Sequence, residues 1–423
     1  MLASFEPAEL SPAARIAWLQ RSVDLGSRRI ALVRLSASAD LREQVAGLGR
    51  ALHDCAEERL ARLAVGDESK LLELRTAMQV PDDYLPWRRV LGLYPLTAQI
   101  AKLGVRGLHD EIHASYTLAR DALPVNGELK HYVPAGGTLA FVPPEPPLPA
   151  TLPEDALGAT LPSQDDLQNL FQRHAPILAI DTEGPFDVPG QPFFAADGTP
   201  TVIDTSTTVY TYPSLTRFGG QLRLQLNYVW WFDARPRKGP LDTLGGHLDG
   251  LVWRVTLDGN AQPIAYDSIH PCGCYHLLFP TDQLQVRREA RQWPEPPLVV
   301  QRAPPLKAGE RIVLRLASET HYLLRAYAVS EALFKDDGVN KGHDYRFEPY
   351  ASLYRVPSAD GARSLFDSNG IVPGTERAES LYLWPMGIRA PGAMRERGRQ
   401  ATAFIGRRHF DDAFVLERIF ALD

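Results

Sequence analysis

From Ile177 to Val329 the chain is a succession of runs rich in β-branched and aromatic residues, each closed by Gly, Pro, Asp or Asn. The runs are ILAID, TVIDTSTTVYTY, QLRLQLNYVWWFD, DGLVWRVTL, PIAYDSI, RIVLRLAS and YLLRAYAV, spaced about 10–20 residues apart. Parallel neighbours need long, usually helical crossovers, and no helical spacing separates these runs. Consecutive strands are therefore expected to pair antiparallel, as in a sandwich or barrel.

The flanks differ from this centre. Up to residue 120, apolar residues recur at three- and four-residue intervals (Ile16, Leu19, Val23; Leu52, Cys55, Leu60, Leu63), which predicts about four or five helices broken near Gly66, Pro81 and Pro95. Residues 121–165 include VPPEPPLPATLPED and read as a proline-rich connector. A short helix, DLQNLFQRH, opens the strand region of 166–330, and 331–423 is irregular, ending in about a dozen residues of helical character that pack back on the strands. The expected class is α+β: a helical N-terminal domain, then a mainly antiparallel β-sandwich with an irregular C-terminal extension.

Composition narrows the function. With 44% hydrophobic and 23% charged residues the chain folds, and a net charge of −6 without a basic run excludes a nucleic-acid footprint. No apolar run is long enough for a transmembrane segment. Glu6 and Glu9 stand where an export signal carries positive charge, and three cysteines do not make a disulfide framework, so a cytoplasmic location is expected. Oligomeric state and substrate are not written in the chain.

Chemistry concentrates around one hairpin. Asp258-Gly259 predicts a tight turn joining DGLVWRVTL to PIAYDSI. His247 and Asp249 lie about ten residues before it and His270 about eleven after it, so the hairpin carries them to its open end. There the chain reads His270-Pro-Cys272-Gly-Cys274-Tyr-His276. On a flat strand, residues two apart stand roughly 6.5–7 Å from each other, whereas zinc ligands converge at about 2.0–2.3 Å, so Pro271 and Gly273 must bend the segment. The metal reading takes His247, Asp249 and His270 as ligands of a divalent ion, zinc by ligand type, with Cys272, Cys274, His276 and His321 as further ligands or orienting groups. Such an ion would acidify a bound water for hydrolysis.

Three other readings stay open. Cys272 and Cys274 suit thiol redox or nucleophilic chemistry, with a neighbouring histidine favouring the thiolate. Alternatively, the cysteines are small buried hydrophobes beside hydrogen-bonded core histidines. A non-catalytic module is also consistent with the sequence, using Tyr228, Trp230, Trp231 and Phe232 as a platform for a glycan or lipid headgroup. His109 and His113 share a helix face at i and i+4, but Asp110 occupies the place of a metalloprotease glutamate. GRRHFDD reads as a salt-bridged turn. No phosphate-binding glycine loop or G-x-S-x-G elbow is present.

The order NYVWWF, GGHLDGLVWRVTL, YDSIH and RIVLRLASETHY, over about residues 205–325, resembles the β-sandwich superfamily of NPP1-type necrosis-inducing and Vps62-like proteins. The resemblance implies a sandwich, with His247 and Asp249 matching a segment that in the necrosis-inducing branch binds a divalent cation used in docking onto membrane glycolipid. It also matches His270 and His321 to two histidines of that pattern. The glutamate that closes the segment in those families has no counterpart here.

Overall fold

The computed structural model describes residues 1–37, 39–64, 68–78, 80–135, 152–160, 162–203, 206–330, 342–359 and 361–423. Five helices come first: α1 (Pro12–Ser36), α2 (Ala39–Ala64), α3 (Glu68–Ala77), α4 (Pro86–Leu91) and α5 (Tyr94–Ser115); α6 (Gln164–His174) follows the connector. Capping explains two starts: Ser11 accepts from the Ala14 amide and Ser163 from the Asp166 amide, each supplying a partner to a helix-end N–H that has none inside the helix.

The strands are β1 (Glu128–Pro134), β2 (Ile177–Thr182), β3 (Gln191–Phe194), β4 (Pro200–Ile203), β5 (Thr208–Phe218), β6 (Gln221–Arg235), β7 (Gly246–Leu257) and β8 (Pro263–Ile269). After them come β9 (Leu277–Pro280), β10 (Leu284–Val286), β11 (Leu298–Val299), β12 (Glu310–Leu316), β13 (Leu323–Ser330) and β14 (His343–Pro349). Eleven of these join one sheet in the order β11-β9-β8-β7-β6-β5-β14-β1-β2-β12-β13.

The class is α+β as expected, but the pairings do not establish an antiparallel sandwich: the eleven strands form one mixed sheet curled as a half-barrel, and β3 and β4 pair separately. The meander β5 to β9 is antiparallel. What joins it to the rest is parallel pairing, β14 with β5 and β1 and β12 with β2. Two of the joining strands come from segments expected to be irregular. ELKHYVP falls inside the presumed connector and HDYRFEP inside the C-terminal extension, yet β1 and β14 lie mid-sheet. The most proline-dense part of the connector lies outside the described residues.

Both faces of the central strands are covered, so β6 is buried without interruption from Leu224 to Phe232. Alternation still sorts the side chains. Leu226, Tyr228, Trp230 and Phe232 pack into the concave core with Leu251, Trp253 and Val255 of β7, and Ile112 of α5 and Tyr116 just after it join them. Val229, Trp231, Val252 and Ile269 face outward and meet Tyr350, Leu353, Phe366, Met394 and Phe410 of the C-terminal extension. Val415, Leu416, Ile419 and Phe420 close the end of the sheet against Phe218 and Ile264; the expected terminal helix shortens to Val415–Ile419. Burying each of these large apolar side chains contributes about 1.5–3 kcal/mol.

Candidate functional site

The β7–β8 hairpin forms, and its turn is wider than a two-residue reversal. Leu257 pairs with Pro263, and the Asp258 carboxylate accepts from the amides of Asn260 and Gln262, both at 2.8 Å. Register places Arg254 directly opposite Asp267. Odd-numbered residues of β7 and even-numbered residues of β8 therefore face the concave core, which puts Asp249 and His270 on the same side.

Those two meet at the open end. His270 Nδ1 donates to Asp249 Oδ1 at 3.2 Å, and His321 Nδ1 donates to Asp249 Oδ2 at 3.0 Å. His321 continues the chain on its far side: Nε2 lies 3.2 Å from the Phe186 carbonyl and 3.3 Å from Asp187 Oδ1. Asp187 is fixed in turn by the amides of Glu319 at 2.6 Å and Glu183 at 2.9 Å, and by the Ser318 hydroxyl at 3.1 Å. The result is an alternating row, Asp187, His321, Asp249, His270, all buried. Phe232 stacks on the His321 ring at 3.9 Å between centroids, nearly parallel.

Electrostatics follow from this row. Burial alone would raise the Asp249 carboxyl, but His270 and His321 outweigh it and hold the group far below the carboxylate range. Asp187 is also lowered, against its burial, by His321 and two backbone amides. His321 is raised, because bonds to Asp187 and Asp249 overcome the desolvation that would lower it. Each nitrogen of His321 faces a carboxylate, as an imidazolium between Asp249 and Asp187 requires. The fourth group of the row has one atom to spare: His270 Nε2 is buried and has no hydrogen-bond partner among the described residues.

The backbone around the row is held in an unusual conformation. Leu248, Tyr275, Glu319 and His321 all adopt positive φ, at 48°, 56°, 60° and 49°. Left-handed backbone at a non-glycine residue costs roughly 1–3 kcal/mol and persists where surrounding structure over-determines it, most often at functional sites. Two glycines make the tight approach workable. A Cβ at Gly250 would lie 2.9 Å from Pro271 Cγ, and one at Gly273, where φ is 98°, would lie 2.4 Å from the Ala401 carbonyl oxygen.

The other expected site residues go elsewhere. His247 is exposed near the rim of β7, opposite Ala234, and no bond from it to Asp249 or His270 occurs among the described residues. After β8 the segment is not extended. His270 donates its amide to the Cys274 carbonyl and accepts from the Gly273 amide, so the period-two alignment of His270, Cys272, Cys274 and His276 is lost. Cys272 Sγ instead accepts from the Cys274 amide at 3.4 Å, and both thiols are free. The Cys274 thiol moves opposite to the expected activation, well above its ordinary value, through its bond to Cys272 and through burial.

His276 belongs to the outer face. Its Nε2 donates to Asp267 Oδ2 at 2.9 Å, and Arg254 grips the same carboxylate through Nε at 2.9 Å and through Nη2. Arg254 lies flat over Phe410, 3.5 Å from the ring centroid. Burial lowers His276 despite the Asp267 bond. Among the described residues, no group of three or more His, Cys, Asp or Glu is arranged to hold a metal ion. The aromatics Tyr228, Trp230, Trp231 and Phe232 are wholly buried core and offer no ligand platform.

A narrow cleft, with a cavity volume of about 50 Å³, lies between α5 and the Cys272–His276 turn. That is room for a few water molecules. His109 lines it, its imidazole lowered to about 4 chiefly by burial, whereas His113 is exposed. Tyr275 belongs to both places: it lines the cleft, and its ring meets His270 edge-on at 5.2 Å.

Asp187 and Ser318 carry no signal as site residues in the sequence, and Phe232 stands there only as part of the aromatic platform. Asp187 sits in a 3-10 turn after Pro185 and reaches His321 only through the tertiary fold. No family model, curated protein or solved structure matches the chain, so its site is read from geometry and chemistry alone.

Proposed function

We propose that the chain is an acid–base enzyme, a hydrolase in the broad sense, whose working atom is His270 Nε2. One observation carries this reading: a buried carboxylate fixes one nitrogen of His270 and leaves the other without a partner. A base needs this arrangement, since the bond at Nδ1 sets the tautomer and ring orientation while Nε2 keeps its lone pair for a proton. Asp187 and His321 position Asp249, and the left-handed backbone at Leu248 and His321 supports the interpretation of a site maintained at a cost in stability. Tyr275 lines the cleft and meets His270 edge-on, which favours a reactant that enters by the cleft, water being the smallest.

A second reading follows from the same atom. A histidine that ligates a metal characteristically donates its other N–H to a carboxylate, as His270 does to Asp249. Zinc or another divalent ion held through Nε2, with thiols of a rearranged Cys272–Cys274 turn, would supply an acidified water in place of a free one.

The test is a panel of chromogenic ester, amide, phosphoester and glycoside substrates with wild type, His270→Gln and Asp249→Asn, each checked for folding by thermal melt. General-base loss predicts a drop of about 10²–10⁴ in turnover for His270→Gln. Equal turnover in wild type and His270→Gln would sink the proposal. Elemental analysis of untagged protein separates the two readings: stoichiometric metal that disappears in His270→Gln favours the ion.

A further inference from the structure

Six arginines are buried among the described residues, and five of them have an evident partner. Arg254, Arg315, Arg395 and Arg408 face Asp267, Asp181, Asp83 and Glu295, and Arg311 caps the end of α6 through the Gln172, Arg173 and Ala175 carbonyls. Arg377 is the exception. Its Nη2 donates to the Leu248 carbonyl, its Nη1 is buried without a hydrogen-bond partner, and no carboxylate pairs with it among the described residues. Burial pushes its ionisation down. Burying a cation without a counter-charge is strongly unfavourable, so the position calls for an anion that the described chain does not supply.

The place is beside His270. Arg377 Nη1 lies over the start of β7, where a Cβ on Gly246 would come within 1.8 Å of it, so the guanidinium fits only because that residue is glycine. Arg235 stands directly opposite Gly246 in the β6–β7 ladder, half-buried and also without an ion pair among the described residues. Burial would lower Arg235, but Tyr275, by charge and hydrogen bond, and Asp249 raise it. Leu248, which holds Arg377, immediately precedes Asp249, and the Tyr275 ring meets His270 at 5.2 Å. The cleft adjoins both: Tyr275 lines it, and so does Gly392, where a Cβ would lie 2.6 Å from Arg377 Cγ. Neighbouring carboxylates do not answer the two cations. Asp249 already accepts from His270, His321 and the Gly250 amide, and Glu379, packed against Gly392, is pushed up by burial and pairs with neither arginine.

We propose that this rim binds an oxyanion of the substrate, a phosphate or a carboxylate, through Arg377 and Arg235 beside the base His270. A guanidinium fork matches two oxygens of either group. The assignment names the substrate class of the proposed enzyme and rests on that reading for the reaction, but not for the binding.

The experiment is thermal melting of the full chain titrated with inorganic phosphate and, separately, with acetate, at an ionic strength held constant with NaCl. Expected is a saturable rise in melting temperature with at least one of them, the tighter naming the group. Arg377→Lys, which keeps the charge and loses the fork, and Arg235→Gln, at a half-buried position, should each weaken that binding about tenfold or more. A control, Lys238→Gln, removes an exposed cation paired with Glu319 at 2.6 Å and should bind as wild type does. No rise with either anion, or both arginine variants binding as wild type does, would overturn the proposal. His270→Gln keeps the two readings apart, because it should retain the anion while losing turnover. Turnover that survives in that variant removes the base and leaves the anion site, whereas a wild type that turns over but ignores both anions removes the site and leaves the base.

Discussion

The two faces of the β7–β8 hairpin each bury a carboxylate, and the surroundings of the two carboxylates differ in kind. On the outer face Asp267 is held by Arg254 and His276, and the arginine also donates to the Phe410 carbonyl at 3.0 Å. Positive and negative charge balance there. On the inner face Asp249 is held by two histidines and no arginine, and one imidazole nitrogen is left over. Proton-carrying groups alone hold the inner carboxylate, whereas a permanent cation anchors the outer one beside its histidine. Burial alone therefore does not distinguish a structural cluster from a reactive one; the titratability of the partners does.

The largest expected effect tests the outer face. Arg254→Ala leaves Asp267 buried without its cation and should cost about 3–5 kcal/mol in urea denaturation. Asp249→Asn keeps shape and an acceptor, and should cost less, about 1–3 kcal/mol. The reverse order would make the inner row the structural one and break the contrast.

A smaller effect concerns pH. His321 is raised in the fold, so its contribution is complete below the unfolded histidine value of about 6.5 and is lost as pH rises through its folded value. Asp249 and Asp187 are lowered, so theirs is present above the unfolded carboxyl range and is lost only in strong acid. His276, lowered by burial, acts in the opposite sense to His321: stability falls as pH drops below about 6.5, where the unfolded chain takes up the proton first. Urea midpoints across the pH range should show a flattened alkaline limb in His321→Gln and a flattened acid limb in His276→Gln. If both substitutions flatten the same limb, the faces are not electrostatically distinct.

The smallest effect is at the turn between the faces. With its thiol raised, Cys274 should be alkylated about tenfold or more slowly than the exposed Cys55 near pH 8, as peptide mass spectrometry would show. Equal rates would reopen the thiol reading.

Much of the meander was legible because its signal is local: NYVWWF, GLVWRVTL and PIAYDSI carry β-branched and aromatic residues between turn formers, and the hairpin between the latter two follows from Asp258 and its neighbours. Asp249, His270 and His321 were also within reach, each standing at or beside a strand end. The rest depended on long-range pairing. ELKHYVP and HDYRFEP have weak strand patterns and are stabilised by parallel neighbours far along the chain, so a reading of consecutive strands gives a sandwich where the molecule has one curled sheet. Counting residues back from the turn brings His247 to the open end of the hairpin but does not say that it is exposed there, outside the buried row. The bend expected at Pro271 and Gly273 forms, but it sends His276 to Asp267 on the opposite face and does not converge it with His270.

That opposition also bears on how the hairpin finds its pairing. If β8 slid by a single position along β7, Asp267 would swing toward the concave core away from Arg254, and His270 would turn from Asp249 toward the Phe410 side. One slip would strand unpaired charge in both layers at once, so the two clusters together act as a double lock on strand alignment, each penalising the error that the other would also feel.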